Sequence, residues 1–109
     1  MTYKDIASMI ESIGLEYSYY QFPEGTNQAP PYVVFFYSHT DDLYADEKNY
    51  QRIVTLNIEL YTAEKDFESE AAIEAVLAEN NLAYYKEENY IDSEKLFQIA
   101  YESEVLING

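Results

Sequence analysis

Apolar residues recur every three or four positions in two stretches of the chain, and every second position in several others. Near the start, Ile6, Met9, Ile10 and Ile13 form one stripe at helical spacing. Thr2 stands where a capping side chain accepts a backbone N–H, Asp5 suits the positive helix end, and Gly14 supplies a stop. The second helical stretch covers residues 66–80, with Asp66 as cap and Glu68 and Glu70 in its first turn. Its larger apolar face holds Ala72, Ile73, Val76 and Leu77; a smaller one holds Phe67, Ala71, Ala75 and Ala78. Glu70 and Glu74 separate the two faces on one side, Glu68 and Glu79 on the other. A helix apolar on two sides is often buried on two. The larger face is expected on a sheet. The alanine face either meets the first helix or a neighbouring subunit, or simply faces water as good helix-forming sequence.

The strongest strand signal is residues 54–60. Val54, Leu56, Ile58 and Leu60 point one way, and Thr55, Asn57 and Glu59 the other. This alternation predicts a sheet with one covered face and one wetter face. Residues 16–22 read as extended, with Tyr17 and Tyr19 opposite Ser18 and Tyr20. Pro23 to Asn27 break the chain, and Pro30-Pro31 lead into a strand over 32–38. Residues 39–48 are polar and acidic, and read as a loop. After Asn80-Asn81 the chain reads as strand over 82–90, turn at Asp92-Ser93, and a final strand over 94–107. Phe97, Ile99, Tyr101 and Val105 share one face of that last strand. The predicted order is helix, strand, strand, strand, helix, strand, strand. Short connections between the later strands favour antiparallel pairing. The expected class is α+β, a mainly antiparallel sheet with two helices packed on one face. The 109 residues, without internal repeat or linker, are expected to form one structural domain, 1–109.

Composition narrows the function classes. Six basic residues stand against 21 acidic ones, a formal net charge of −15. No cluster of Lys and Arg exists to grip a phosphate backbone, so no sequence-specific nucleic-acid partner is expected. The acidity also serves solubility. Thirteen tyrosines and five phenylalanines raise the aromatic share to 17%. Tyrosine suits both interfaces and antiparallel strands. No apolar run approaches the ~20 residues of a bilayer span, so no membrane partner is expected. The start Met1-Thr2-Tyr3-Lys4-Asp5 lacks a basic segment followed by an apolar one, and no signal peptide is expected. Cysteine is absent, which removes disulfides, thiolate metal sites and a Cys nucleophile.

Signals for chemistry are sparse. His39 is the only histidine, and no Ser occupies a Gly-x-Ser-x-Gly elbow. The three glycines, Gly14, Gly25 and Gly109, are too scattered for a phosphate-cradling loop. Asp41, Asp42, Asp46 and Glu47 suggest a cation loop. An EF-hand frame from Asp42 fails, however, with Tyr44 at its third place and Glu47 at its sixth. The pairs Glu87-Glu88 and Glu102/Glu104 read as solvated strand or turn positions, or as faces for partner cations. No catalytic residue, metal site or cofactor is assigned.

The C-terminal half carries a resemblance. Leu60-Tyr61-Thr62-Ala63-Glu64-Lys65-Asp66-Phe67, then Ile73-Glu74-Ala75-Val76-Leu77, continue into Asn81-Leu82-Ala83-Tyr84 and Lys86-Glu87-Glu88. Tyr90-Ile91, Ser93-Glu94, Gln98-Ile99 and Tyr101-Glu102 follow. This succession resembles the tail-completion and tail-to-head joining proteins, similar in fold to tail terminators, of long-tailed phages and prophages of Gram-positive bacteria. It covers residues 50–105 well and the first half in element order only. The resemblance implies a strand–helix–strand–strand core without catalytic residues. It also implies a self-assembled ring, usually hexameric, that terminates or joins the tail tube. The expected partners are sister copies, tail-tube proteins and head-connector proteins. The expected location is the host cytoplasm during synthesis and then the virion's head–tail junction. In such a ring the acidic segment, Asp41, Asp42, Tyr44, Asp46, Glu47 and Tyr50, is the candidate for contact with the next ring or the lumen. A lumen without basic side chains lets duplex DNA slide. The rival reading is an acidic DNA mimic that inhibits a host nuclease. It requires a long carboxylate stripe at duplex spacing, whereas the acids here scatter over both halves of the sequence.

Overall fold

The computed structural model describes residues 1–25, 27–44 and 50–108, with the backbone alone for 42–44 and 50. These residues form α1 (Tyr3–Glu11), β1 (Glu16–Tyr19), β2 (Tyr32–Tyr44), β3 (Tyr50–Thr62), α2 (Phe67–Glu79), β4 (Tyr85–Ile91) and β5 (Leu96–Ile107). The strands make one sheet in the order β1-β2-β3-β5-β4. β1 lies parallel to β2, and the other pairs are antiparallel. Element order and the α+β class are as the sequence predicts.

Both helix starts follow their capping chemistry. Thr2 Oγ1 accepts from the Asp5 N–H at 3.1 Å, and the Asp5 carboxylate accepts from the Thr2 N–H at 2.9 Å. Asp66 accepts from the Ser69 N–H at 3.0 Å and from the Ser69 hydroxyl at 2.7 Å. After α1, Gly14 turns the chain with φ +89°, a left-handed value that favours glycine. After α2, Asn81 takes φ 56°, a role asparagine fills with little strain.

Register sets the core. Leu60 pairs with Ile99, Ile58 with Tyr101 and Val54 with Val105 across β3 and β5, while Val33 and Phe35 of β2 face Leu60 and Ile58. All point to one side, where Ile6, Met9 and Ile10 of α1 and Ile73, Val76 and Leu77 of α2 complete a buried cluster. Both helices therefore lie on one face. A fully buried aliphatic side chain contributes about 1.5–3 kcal/mol, so this interlocked set dominates stability.

One expectation is corrected. Residues 39–44 are not loop: β2 continues to Tyr44 and pairs with β3 from Tyr50 onward, after a register shift between Tyr37 and His39. Along this length β2 is the edge strand beside β3, which is itself paired with β5 from Arg52 onward, so only Leu43-Tyr44 against Tyr50-Gln51 reaches past β5 as a short two-stranded arm. The β2 side chains from Ser38 to Asp41 are exposed, while Val54 of β3 beside them is buried in the core. An edge segment exposed on both faces needs no apolar alternation, so its polar side chains hide the strand period. β-branched Thr40, Ile53, Val54 and Thr55 supply strand preference, and Asp42 stands opposite Arg52 in the register.

Candidate assembly surface

The sheet face away from the helices is covered by neither helix. Register places Tyr32, Val34 and Phe36 of β2 on it, with Asn57, Glu59 and Tyr61 of β3. Beyond them stand Gln98, Ala100, Glu102 and Glu104 of β5, and Tyr85, Glu87 and Asn89 of β4. No lysine or arginine stands at any of these positions. The open face divides in two. Towards β4 and the outer part of β5 it is acidic and exposed, with Tyr85 83% accessible. Towards β1 it is aromatic and partly covered by the chain that follows β1.

That cover is locally built. Tyr20 takes φ 68° and donates its N–H to the Phe35 carbonyl at 2.8 Å, which folds the chain across the sheet edge. Ser18 Oγ donates to the Gln21 carbonyl at 2.9 Å and holds the turn. The Tyr20 ring then meets Phe36 edge-on at 5.7 Å, and Phe22 meets Tyr32 edge-on at 5.3 Å. Tyr32 stacks on its cross-strand neighbour Tyr61 at 5.1 Å. Val34, beneath them, is only 6% accessible although it lies opposite the helices. Tyr61 donates to Glu59 at 2.8 Å and accepts from Gln98 at 2.8 Å. Burial first, and the Glu59 carboxylate with it, push the Tyr61 phenol up to about 12 against the opposing effect of Gln98. The hydroxyl is neutral at physiological pH and locks the ring in place.

On the helix side, one group departs from the usual rule for carboxylates. Glu70 of α2 is 2% accessible and lies between two lysines, with Lys65 Nζ at 2.7 Å and Lys86 Nζ at 2.8 Å. Lys86 also pairs with Glu74 at 2.8 Å, and the Tyr101 hydroxyl donates to the same Glu74 oxygen at 2.8 Å. Lys65 reaches on to Glu88 of β4. Burial alone would raise the Glu70 carboxyl; the two lysines outweigh it and hold the group below its ordinary range. Lys86 hydrogen-bonds Glu74 and, with help from Tyr101, lowers that carboxyl too. The network ties α2 to the β3–α2 connection and to β4 and β5. Every carboxylate in it is matched by a cation or a hydroxyl, so it joins elements and leaves no reactive group. Spacing shows Glu70 and Glu74 at the border of the apolar face. It does not reveal that Lys65 and Lys86, distant in sequence, converge there.

The outward side of α2 carries the predicted smaller apolar face. Ala71, Ala75 and Ala78 are exposed, and Phe67 is 72% accessible with Lys65 Nζ 4.8 Å from its ring centre. That face does not meet α1.

Of the segment singled out in the sequence, Asp41 lies on the outer, edge part of β2 with its Oδ1 3.2 Å from His39 Nε2, both side chains well exposed. Asp42 stands opposite Arg52, and Tyr44 opposite Tyr50, in the strand register. Asp46 and Glu47 lie outside the described residues. Among the described residues no group of three or more His, Asp or Glu side chains could hold a metal ion. No described helix is long and apolar enough to cross a membrane.

No protein-family model matches the chain, and no curated protein matches it in sequence. Fifteen chains of solved structures match it in fold. One belongs to the virion of a native gene transfer agent particle, with 15% identity over 94% of this chain and 86% of that one, at a TM-score of 0.59. At this identity the likeness is one of fold: the helix, strand and sheet arrangement described above is an arrangement also found in that particle.

Proposed function

We propose that this chain is a structural protein of a phage or phage-like virion, and that its copies form a ring at the head–tail junction that terminates or joins the tail tube. The observation that carries the reading is the fold likeness to a virion-particle chain across nearly the whole of both chains. The surface supports it. The chain presents an acidic, aromatic sheet face, an exposed apolar side of α2 and a β-arm, each suited to a protein contact. Head-to-tail contacts between unlike patches close a ring when the rotation permits. A net charge of −15 suits a passage for DNA, because a wall without clustered cations does not hold phosphates. In this reading the chemistry is all recognition: the partners are sister copies, six to a ring by the resemblance, and the tail-tube and head-connector proteins.

The DNA-mimic reading keeps one supporting observation, the base-free acidic part of the open face. There Glu102 and Glu104 lie two residues apart on β5, but Ala100 and Gln98 end the row. A mimic needs a longer stripe.

Native mass spectrometry and negative-stain imaging test the proposal, on the protein alone and mixed with the tail-tube and connector proteins made with it. Rings with a hole wide enough for a duplex are expected. A chain that stays monomeric in every mixture, or forms a tight one-to-one complex with a nuclease, overturns it.

A further inference from the structure

The aromatic part of the open face borders an open cavity of about 530 Å³, within the range of sites that hold small ligands or single side chains. Tyr20, Phe22, Tyr32 and Tyr61 supply its aromatic wall, Val34 its apolar patch and Glu94 a carboxylate at its rim. Gln21, Asn27 and Gln28 add neutral amides, and no lysine or arginine lines it. Glu94 sits in the turn between β4 and β5, its N–H donating to the Ile91 carbonyl at 3.1 Å. It is close enough to Tyr32 to raise that phenol, after burial.

Four aromatic rings beside one carboxylate, with no competing cation, match the requirements of a planar organic cation. The negative faces of the rings attract a cation, and the carboxylate completes its neutralisation. A guanidinium fits better than an ammonium, because it is flat, weakly hydrated and able to stack on tyrosine while its edge pairs with a carboxylate. A phosphate or nucleotide is disfavoured by the carboxylate and by the charge of the whole chain. We propose that this cavity is a socket for an arginine side chain of a protein partner, with the guanidinium among the tyrosines and against Glu94. The proposed virion role enters only in naming the partner as another virion protein. The socket itself belongs to the folded protomer and can be tested without a ring.

The test titrates N-acetylarginine amide into the 15N-labelled protein and follows the chemical shifts of Tyr20, Phe22, Tyr32 and Tyr61 at fixed ionic strength. The citrulline analogue, neutral and of the same shape, and the lysine analogue run in parallel. Saturable shifts confined to the cavity at millimolar arginine are expected, with weaker binding of lysine and none of citrulline. Glu94→Gln, in an exposed turn, should weaken arginine roughly fivefold. Glu104→Gln, which removes the same charge elsewhere on the open face, should leave it unchanged. Equal binding of citrulline, preference for lysine, equal loss in both variants, or no shift at the cavity overturns the socket. Failure of ring formation would leave these titrations unaffected, so the two proposals fall separately.

Discussion

The two faces of the central sheet use the same strands in opposite ways. On the helix side, Leu56, Ile58 and Leu60 form an unbroken apolar row and lock into α1 and α2. On the other side, the intervening Asn57, Glu59 and Tyr61 join tyrosines, amides and carboxylates that neither helix covers. A strand has a period of two, so one sequence serves both demands without compromise. The main core forms on one face, and the other is covered only in part, by the chain that follows β1. This difference explains how a protein of charge −15 keeps a conventional core: repulsion is spread over surfaces that add little to stability.

The sharpest way to break the comparison is to treat the faces alike. Leu56→Ala or Leu77→Ala, at positions with no accessible surface, should lower unfolding free energy by about 2–5 kcal/mol in urea titration. Glu104→Ala on the open face should leave the midpoint where it was. Comparable losses at both kinds of site would mean that the open face is part of the fold's foundation.

A smaller loss is expected at Glu70. Glu70→Gln keeps the shape but removes the charge between Lys65 and Lys86, at a cost of about 1–3 kcal/mol near neutral pH. The lysines remain accessible enough to regain water, which keeps the figure below that of a deeply buried pair. The sign with pH follows from the lowered carboxyl. In the folded state Glu70 gives up its proton below its ordinary value of 4.5, so the unfolded chain binds more protons in the interval below that value. The stabilisation is therefore complete above about 4.5 and is lost as pH falls through the lower, folded-state value. Thermal midpoints measured from neutral pH downwards should fall more steeply for the wild type than for Glu70→Gln, and the two curves should converge in acid. Parallel curves would remove Glu70 from the account, leaving Glu74, whose carboxyl is lowered in the same direction.

What could be read from the sequence follows the same division. α1, α2, β3 and β5 are legible because each has a buried stripe at its own period: Ile6, Met9 and Ile10 for one helix, Val54 to Leu60 for one strand. The outer half of β2 is not legible, since its side chains from Ser38 to Asp41 are exposed on both faces of an edge strand and have no buried face to mark. The Glu70 network escapes because its members come from α2, β4 and the connection before α2, and spacing does not report meetings across a fold. The cavity escapes for the same reason. Its wall joins Tyr20 and Phe22 to Tyr32, Tyr61 and Glu94, five aromatic or acidic residues among many in a chain with thirteen tyrosines. Abundance hides which ones matter.

On the open face a reversal of charge separates folding from assembly. Glu102→Lys with Glu104→Lys should leave the unfolding midpoint near the wild-type value, because both side chains are exposed and outside the buried cluster. Ring yield by native mass spectrometry should nonetheless fall if this face meets a partner, and the variant should begin to retain duplex DNA at low salt. Normal rings without DNA retention would assign the face to bulk solvent.

The smallest effect on folding is expected at the outer end of β2 and the residues after it, where the sequence placed its candidate residues. Asp41, Asp42, Asp46 and Glu47 changed together to Asn and Gln remove four negative charges without altering side-chain shape. The outer part of β2, from Thr40 to Tyr44, is joined to Tyr50 to Val54 by its strand ladder, and β3 is held in turn by β5 from Arg52 onward. Neutral amides at Asp41 and Asp42 leave that backbone ladder intact. Circular dichroism and the unfolding midpoint should therefore hardly change. Assembly is a different matter: in the proposed ring, the short arm that passes the end of β5 is placed to touch the next ring or the channel. Particles built with the substituted chain should show defective tail joining or impaired DNA passage. Particles of normal yield and infectivity would withdraw the arm from the contact surface and leave the sheet face and the outward side of α2 as the surfaces that build the ring.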